Sequence, residues 1–107
     1  MERSVIRTQR LRRQILQIVE NAKVGGSISG RWISDFLDQE EIDGDNDVIG
    51  LAQDLINLGL LHPEDRRTTK NQKHVTLDLM RYSITAKGTG LLLGLEPICP
   101  LVYDERR

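Results

Sequence analysis

The apolar residues of this chain follow a helical period in three successive segments and then a strand period in one, an order that restricts the fold to a mixed α and β arrangement. In residues 6–22 apolar side chains recur every three or four positions between arginines, which predicts an amphipathic first helix. Gly25-Gly26 ends that helix. With 107 residues the chain is predicted to be one domain, with a core over about residues 6–94 and a tail over residues 95–107.

The second helix is predicted to be short and to carry aromatic residues of the core. Ser29 can accept a hydrogen bond from a free backbone N–H and so begin this helix. The apolar face is predicted to hold Trp32, Ile33, Phe36 and Leu37. Because Trp32 lies four residues before Phe36, on the same side of a helix, we expect Trp32 to be buried. Exposure of its ring would instead indicate a contact residue.

A third helix is predicted over residues 47–58, after an acidic loop. Apolar residues repeat there at helical spacing, and Asp45 or Asn46 is expected to cap the first turn. Gly59 follows directly and suits the left-handed position at which many helices end.

Beyond the third helix the sequence predicts a hairpin. Residues 64–73 are polar, as in a loop or hairpin tip. Residues 75–79 alternate apolar and polar side chains, as in a half-buried strand. Tyr82 and Ile84 have even numbers, whereas the apolar residues before them have odd numbers, so in one regular strand the two sets would face opposite sides of the sheet. We therefore predict a bulged strand or two short strands, with a bend near residues 80–81.

The C-terminal part is predicted to hold a last helix and an apolar tail. Thr85 can cap a helix that runs to about residue 94, and Pro97 and Pro100 prevent its continuation. The tail is too apolar to stay free in solvent, so it either packs on its own domain or docks on a neighbouring molecule. Its candidate partner-binding residues are Ile98, Leu101, Val102 and Tyr103.

The residue types present argue against an enzyme, a metal site and a cofactor. The single cysteine, Cys99, excludes an internal disulfide framework, and together with His62 and His74 it matches no zinc spacing. Residues 43–47 resemble the start of a calcium loop, but Val48 stands where that loop needs glycine. Neither a catalytic triad nor a glycine-rich phosphate loop has support from spacing. We therefore predict a noncatalytic protein that needs no metal and no cofactor.

Charge is segregated along the chain, although the net charge is only −1. Residues 1–31 carry +5, residues 32–65 carry −10 and residues 66–87 carry +5. We expect a surface with charged poles unless the fold brings opposite blocks together. Because the total is near zero, any nucleic-acid site must be local.

Three helices, a hairpin with a polar tip and a final helix are the element order of a winged helix-turn-helix domain. Gly59-Leu60-Leu61 resembles the helix-to-wing junction of PadR-type and MarR-type regulators, and residues 82–88 resemble their strand-to-helix exit. Ser29-Gly30-Arg31-Trp32-Ile33 stands where those families begin the positioning helix. The resemblance covers about residues 6–94. It implies an α+β, mainly helical fold with a two-stranded wing, a C-terminal helix and a tail.

The whole chain is also similar to small proteins of unassigned role from Mu-like bacteriophages and prophages, which implies a phage or prophage origin. No apolar run is long enough to span a membrane, and no apolar leader follows the first residues. We therefore predict no membrane association and a cytoplasmic location, in the bacterial host for a phage-encoded protein.

The resemblance implies contact with double-stranded DNA, yet the third helix departs from a DNA reader. It has no basic residue, and a carboxylate about 4 Å from a phosphate costs about 1 kcal/mol even in water. Insertion into the major groove is therefore disfavoured, and Gln53 and Asn57 are interpreted as solvated polar positions. The carboxylates in or beside this helix are Asp43, Asp45, Asp47 and Asp54.

Two basic clusters offer a nucleic-acid surface instead, one in the predicted wing and one in the N-terminal arm on the first helix. They predict a nucleic-acid-associated role in regulation or phage development. The residues are Arg66, Arg67, Lys70 and Lys73 in the wing, with Arg7, Arg10 and Arg13 on the first helix.

The same features fit an alternative, a winged-helix protein-interaction module or assembly factor that does not read DNA. In that case the arginines pair with the acidic loop of another subunit, and the tail docks on it. We predict a homodimer, with another phage or host protein as a further candidate partner.

Overall fold

The computed structural model describes residues 3–22, 26–64 and 77–106 and shows an α+β arrangement of helices around a small sheet. These ranges contain four helices and a three-stranded antiparallel sheet, compatible with a winged helix. In chain order the elements are α1 (Val5–Asn21), β1 (Ile28–Ser29), α2 (Gly30–Phe36), α3 (Asp45–Asn57), β2 (Leu61–Pro63), β3 (Arg81–Ile84) and α4 (Ala86–Leu92).

The sheet has the order β1-β3-β2, with β3 in the middle. Tyr82 of β3 lies opposite Ile28 of β1 on one side and opposite Pro63 of β2 on the other. The sequence predicted only the hairpin strands and indicated an extended link at residues 27–29. That link becomes an edge strand because its backbone pairs with β3, and the N–H of Gly30 extends the pairing to the carbonyl of Met80 at 2.8 Å.

Local capping signals are confirmed at three places. The Ser29 hydroxyl accepts a hydrogen bond from the N–H of Trp32, and the Thr85 hydroxyl accepts one from the N–H of Gly88. Gly59 follows α3 with a φ of 76°, a backbone conformation that favours glycine. Each of these turns depends on side chains within a few residues, so the local sequence determines them.

The start of α3 differs from the prediction. Gly44, with a φ of 81°, precedes the first helical residue, and no side chain caps the helix, so the capping role predicted for Asp45 or Asn46 is wrong. The carboxylate of Asp45 is bound by Arg31 instead. The carboxylate of Asp47 is bound by Arg3 and by the N–H of Asp43.

The predicted burial of Trp32 is wrong. The α2 segment buries Ile33 and Leu37, whereas Trp32 and Phe36 are 53% and 62% exposed. Both pairs are four residues apart, so they form two parallel stripes along the same short segment. Only one stripe faces the core, where α1, α3 and β3 also contribute buried residues. These include Leu11, Ile15, Leu16, Val19, Val48, Leu51, Leu55 and Tyr82.

The strand predicted over residues 75–79 is wrong for residues 77–79, which form a turn; residues 75 and 76 lie outside the described ranges. Leu77 is fully buried and Leu79 is 51% exposed, so the two do not share a face. Leu77 packs so closely on Gly30 that a Cβ atom at Gly30 would lie 2.5 Å from its Cδ1 atom. The turn lies before Met80 and Arg81 is already the first residue of β3, so the bend predicted near residues 80–81 is found earlier in the chain.

The C-terminal tail packs on α1 of its own domain, one of the two arrangements that the sequence left open. The side-chain amide of Gln9 donates to the carbonyl of Pro100 at 2.6 Å, and the N–H of Tyr103 donates to the carbonyl of Gln9 at 3.1 Å. Val102 is buried beside these bonds. Within the described ranges, every helix is too short or too polar to cross a membrane.

Candidate nucleic-acid interface

The predicted wing cations, Arg66, Arg67, Lys70 and Lys73, lie outside the described residues. The chain enters their segment after β2 and leaves it before β3. At its base, the N–H of Glu64 donates to the carbonyl of Arg81 at 2.8 Å, and the hydroxyl of Ser83 donates to the Glu64 carboxylate at 3.0 Å. Hydrogen bonds of Glu64 therefore join the two strands at the base of the hairpin.

The predicted cations of α1 all have partners within the chain. Arg7 lies 3.5 Å from a carboxylate oxygen of Glu41. The guanidinium of Arg10 stacks over the ring of Tyr103, 5.0 Å from its centroid, and Arg13 donates to the carbonyl of Tyr103 at 3.3 Å. The structure thus uses these side chains to hold the acidic loop and the tail.

Opposite charge blocks meet within the fold, along α3. Arg3 forms a two-point ion pair with Asp47, and it also donates to the carbonyl of Glu41 at 2.9 Å. Arg12 lies 3.0 Å from Asp54 and donates to the carbonyl of Leu101. Since these contacts join the N-terminal arm and first helix to the third helix at two levels, they hold α1 and α3 side by side.

The ion pairs also fix the protonation of the α3 carboxylates. The hydrogen bond from Arg3 lowers the pKa of Asp47, which outweighs the opposing effect of partial burial. The hydrogen bond from Arg31 lowers the pKa of Asp45 in the same way. Both groups are therefore charged at neutral pH, and each has a cation beside it.

This pairing reduces the repulsion between α3 and a phosphate. The sequence alone presents four isolated carboxylates in or beside α3, but Asp45, Asp47 and Asp54 are each paired with an arginine in the fold. A neutral pair repels a phosphate far less than a lone carboxylate does. The exposed face of α3 beyond these pairs is uncharged and polar, and it consists of Asn46, Gly50, Gln53 and Asn57.

Arg31 connects α3 to the base of the hairpin. Its guanidinium makes a two-point contact with Asp45, at 2.6 and 3.0 Å, and a third contact with Asp78 at 3.0 Å. The start of α3 therefore lies beside the turn that leads into β3. Sequence reasoning missed this role of Arg31; the available signal was its position as the last cation before a block of ten acidic residues.

The predicted partner-binding residues of the tail separate into two groups. Ile98 and Leu101 are 40% and 45% exposed, whereas Val102 is buried and Tyr103 is partly covered by Arg10. Only the first two present apolar surface to another molecule.

The end of the tail is held by Asp104, whose side chain is almost fully buried. It accepts hydrogen bonds from the guanidinium and the backbone N–H of Arg106, and that guanidinium also binds the carbonyls of Gly94 and Glu96. The bond from the Arg106 side chain is the main cause that lowers the pKa of Asp104 to about 2.

We expect Asp104→Asn to reduce the loss of stability on acidification between about pH 4 and pH 2. The folded pKa lies below the unfolded value of about 3.9, so this carboxylate stabilises the fold above that value and loses its contribution as pH falls through about 2. Thermal unfolding across this pH range measures the effect. Glu105→Gln, at the exposed neighbouring carboxylate, is the control and should follow the wild-type curve. Identical curves for all three proteins would contradict the assignment.

Among the described residues, no group of three or more histidine, cysteine, aspartate or glutamate side chains is arranged to hold a metal ion. The acidic run that resembles a calcium loop directs its Asp45 and Asp47 carboxylates to Arg31 and Arg3. His74 lies outside the described residues.

Comparisons with protein-family models, curated proteins and solved structures found no match. The candidate interface combines the neutral polar face of α3 with the base of the hairpin, which Arg31 holds together.

Proposed function

We propose that this chain is a noncatalytic winged-helix domain that associates with double-stranded DNA through the segment between β2 and β3. The chain order of the elements and the sheet order β1-β3-β2 support the winged-helix part of the proposal. In this proposal Arg66, Arg67, Lys70 and Lys73 contact phosphates, with the outer face of α3 turned toward the same duplex.

The observation that carries this proposal is the internal neutralisation of α3. Three arginines from the first 31 residues pair with its three carboxylates, so these arginines are engaged within the chain, and the basic residues 66–73 are the ones proposed to meet a polyanion. Gln53 and Asn57 lie on the exposed face, where the Gln53 amide donates to Asn57 Oδ1 at 3.0 Å and the remaining amide groups are suited to contacts with base edges.

The arginines of α1 make no phosphate contact in this proposal. Arg7, Arg10 and Arg13 each have an intramolecular partner, so a phosphate would compete with Glu41 for Arg7 and with the carbonyl of Tyr103 for Arg13. This feature separates the hairpin segment from the N-terminal arm, although the sequence predicted both as DNA surfaces.

The biological role and the oligomeric state are proposed on separate grounds. A cytoplasmic role in regulation or phage development follows from the resemblance to winged-helix regulators and to proteins of Mu-like phages. We further propose a homodimer, because Ile98 and Leu101 leave exposed apolar surface next to the docked tail.

The direct test compares two variants that lose the same charge. Fluorescence anisotropy of a labelled duplex is measured with wild type, with Arg66→Gln/Arg67→Gln/Lys70→Gln, and with Arg7→Gln/Arg10→Gln/Arg13→Gln. The hairpin variant should bind at least about tenfold more weakly at about 50 mM salt, and its slope of log K against log salt should be smaller by about 2.7, since each lost phosphate contact removes about 0.9. The α1 variant should stay within about twofold of wild type.

Equal losses in the two variants would show that only total charge matters and would contradict a hairpin site. Absence of wild-type binding at about 50 mM salt would overturn the DNA function itself.

The two features that suggested a protein-interaction module, the acidic third helix and the apolar tail, both have contacts within the chain. The acidic third helix is paired with arginines of the same chain, and the tail packs on α1 of the same domain. Ile98 and Leu101 are the part of the tail proposed to meet a second copy, and α2 presents a separate surface for a different protein partner.

A further inference from the structure

The exposed face of α2 carries an aromatic pair. Trp32 and Phe36 are both more than half exposed, and their ring centroids lie 5.3 Å apart with planes tilted by 50°. These are two of the four aromatic residues of the chain; Tyr82 is buried and Tyr103 is partly covered by Arg10. Half of the aromatic side chains are therefore presented together to solvent on one short helix.

A shallow groove between α1 and α2 continues the apolar surface from Phe36. Ile18 and Leu37 form its floor. Polar residues of α1 form its rim, and Asp38 lies at its end. Phe36 belongs both to the ring pair and to the lining of this groove, so the two form one continuous surface.

The surroundings of the ring pair are acidic. Asp35, Asp38 and Glu40 are exposed, and none of them forms an ion pair with a cation in the described ranges. Arg7 and Arg10 line a neighbouring pocket together with Asp38, but they contact Glu41 and Tyr103 instead. The nearest cation in sequence, Arg31, is already bound to Asp45 and Asp78. This part of the surface is therefore aromatic and negatively charged.

We propose that Trp32 and Phe36, with Asp35 and Asp38, form a docking site for a basic amphipathic segment of a protein partner. Apolar side chains of that segment cover the two rings, and its lysines or arginines meet the carboxylates. A cation of the segment can also lie over the face of Trp32. The site is independent of the proposed DNA function, since its charge repels phosphate.

Charge also distinguishes this occupant from a second copy of the chain. In a two-fold dimer through this face, the same surface of each copy contacts the other copy. Asp35 and Asp38 of the two copies would then approach one another, an unfavourable arrangement for like charges. The complementary partner is basic.

The test uses a defined probe, a peptide of about 18 residues made of Leu, Ala and Lys with leucine on one helical face, and a second peptide with Glu at every Lys. Trp32 is the only tryptophan, so its emission reports on the site directly. The lysine peptide should shift that emission to shorter wavelength at about 150 mM salt, and the glutamate peptide should leave it unchanged.

Labelled-peptide anisotropy then identifies the residues involved. Trp32→Ala/Phe36→Ala and Asp35→Asn/Asp38→Asn should each weaken binding of the lysine peptide by at least about tenfold. Leu93→Ala/Leu95→Ala, which removes apolar surface exposed elsewhere, should have no effect. The Asp35→Asn/Asp38→Asn protein retains Trp32 and keeps the test valid if the aromatic double variant fails to fold.

Equal binding of the two peptides, or equal losses in the Leu93→Ala/Leu95→Ala variant, would overturn the proposal. Concentration-dependent self-association that Trp32→Ala/Phe36→Ala abolishes would assign the face to a second copy and would also overturn it. Loss of DNA binding in the hairpin variant leaves this result unaffected, because the two experiments use different residues and different ligands.

Discussion

Replacing Tyr82 with alanine is expected to lower the free energy of unfolding by about 3–5 kcal/mol, the range typical of removing a buried aromatic ring. Tyr82 is 1% exposed, and it lies on the central strand with Ile28 and Pro63 opposite it. Alanine would leave a cavity between the sheet and the helices, and a close-packed interior fills such a cavity only in part. Urea unfolding followed by circular dichroism measures the change.

Tyr82→Phe is the matched control because it keeps the ring and removes only the hydroxyl. That hydroxyl donates to the sulfur of Met80 at 3.4 Å, and a thioether is a weak acceptor. Burial raises the pKa of Tyr82 to about 12, so the group stays neutral at ordinary pH. We expect a loss below about 1 kcal/mol. A loss as large as that of Tyr82→Ala would show that the hydroxyl, and not the ring, stabilises the sheet.

The second large effect is expected for Gly88→Ala, with a loss of about 3 kcal/mol. A Cβ atom at Gly88 would lie 2.3 Å from the carbonyl oxygen of Leu60 and 2.8 Å from Cγ1 of Ile84. The first of these neighbours is backbone, so it cannot move aside without shifting α4 away from the start of β2. Alanine favours a helix by up to about 1 kcal/mol over glycine, which is too little to compensate.

Gly50→Ala provides the control at another helical glycine. Apart from the neighbouring backbone of its own helix, no described atom lies within 4 Å of the Cβ position at Gly50, in the middle of α3. We therefore expect alanine there to raise the free energy of unfolding by about 0.5–1 kcal/mol. If both substitutions had the same sign, close packing of α4 on Leu60 would not be the reason for glycine at position 88.

Helical periodicity, helix caps and a helix-ending glycine were read correctly from the sequence. The predicted first helix, over residues 6–22, is found as α1 at Val5–Asn21. The caps at Ser29 and Thr85 and the stop at Gly59 are also found. The caps and the stop depend on hydrogen bonds or backbone angles within one turn, and the one long-range bond among them, from the Thr85 hydroxyl to the carbonyl of Gly59, adds to the local signal.

The face that α2 buries could not be predicted from its period. The pairs Trp32/Phe36 and Ile33/Leu37 have the same spacing and comparable hydrophobicity, so both are valid helical stripes. The contacts of α2 with α1 and α3 decide between them, and those contacts involve residues far away in sequence. The exposed aromatic pair is visible only in the folded chain.

The sequence also could not predict which arginine pairs with which carboxylate. The charged blocks of the sequence show that opposite charges are available. The same sequence is compatible with ion pairs within one chain and with ion pairs between subunits. Distances in the fold distinguish the two, with Asp47 held by Arg3 and Asp54 by Arg12. The same holds for the tail, whose docking depends on contacts between residues about 90 positions apart, such as the bond from the side chain of Gln9 to the carbonyl of Pro100.

Because the arginines of α1 are already bound within the chain, DNA should be contacted by the segment between β2 and β3 alone among the basic regions. Amide chemical shifts of isotope-labelled protein, titrated with a short duplex at about 50 mM salt, locate the contact residue by residue. We expect changes across residues 64–81 and along the exposed face of α3, with α1 unaffected. Changes confined to Arg7, Arg10 and Arg13, or no change at any amide, would contradict a hairpin site.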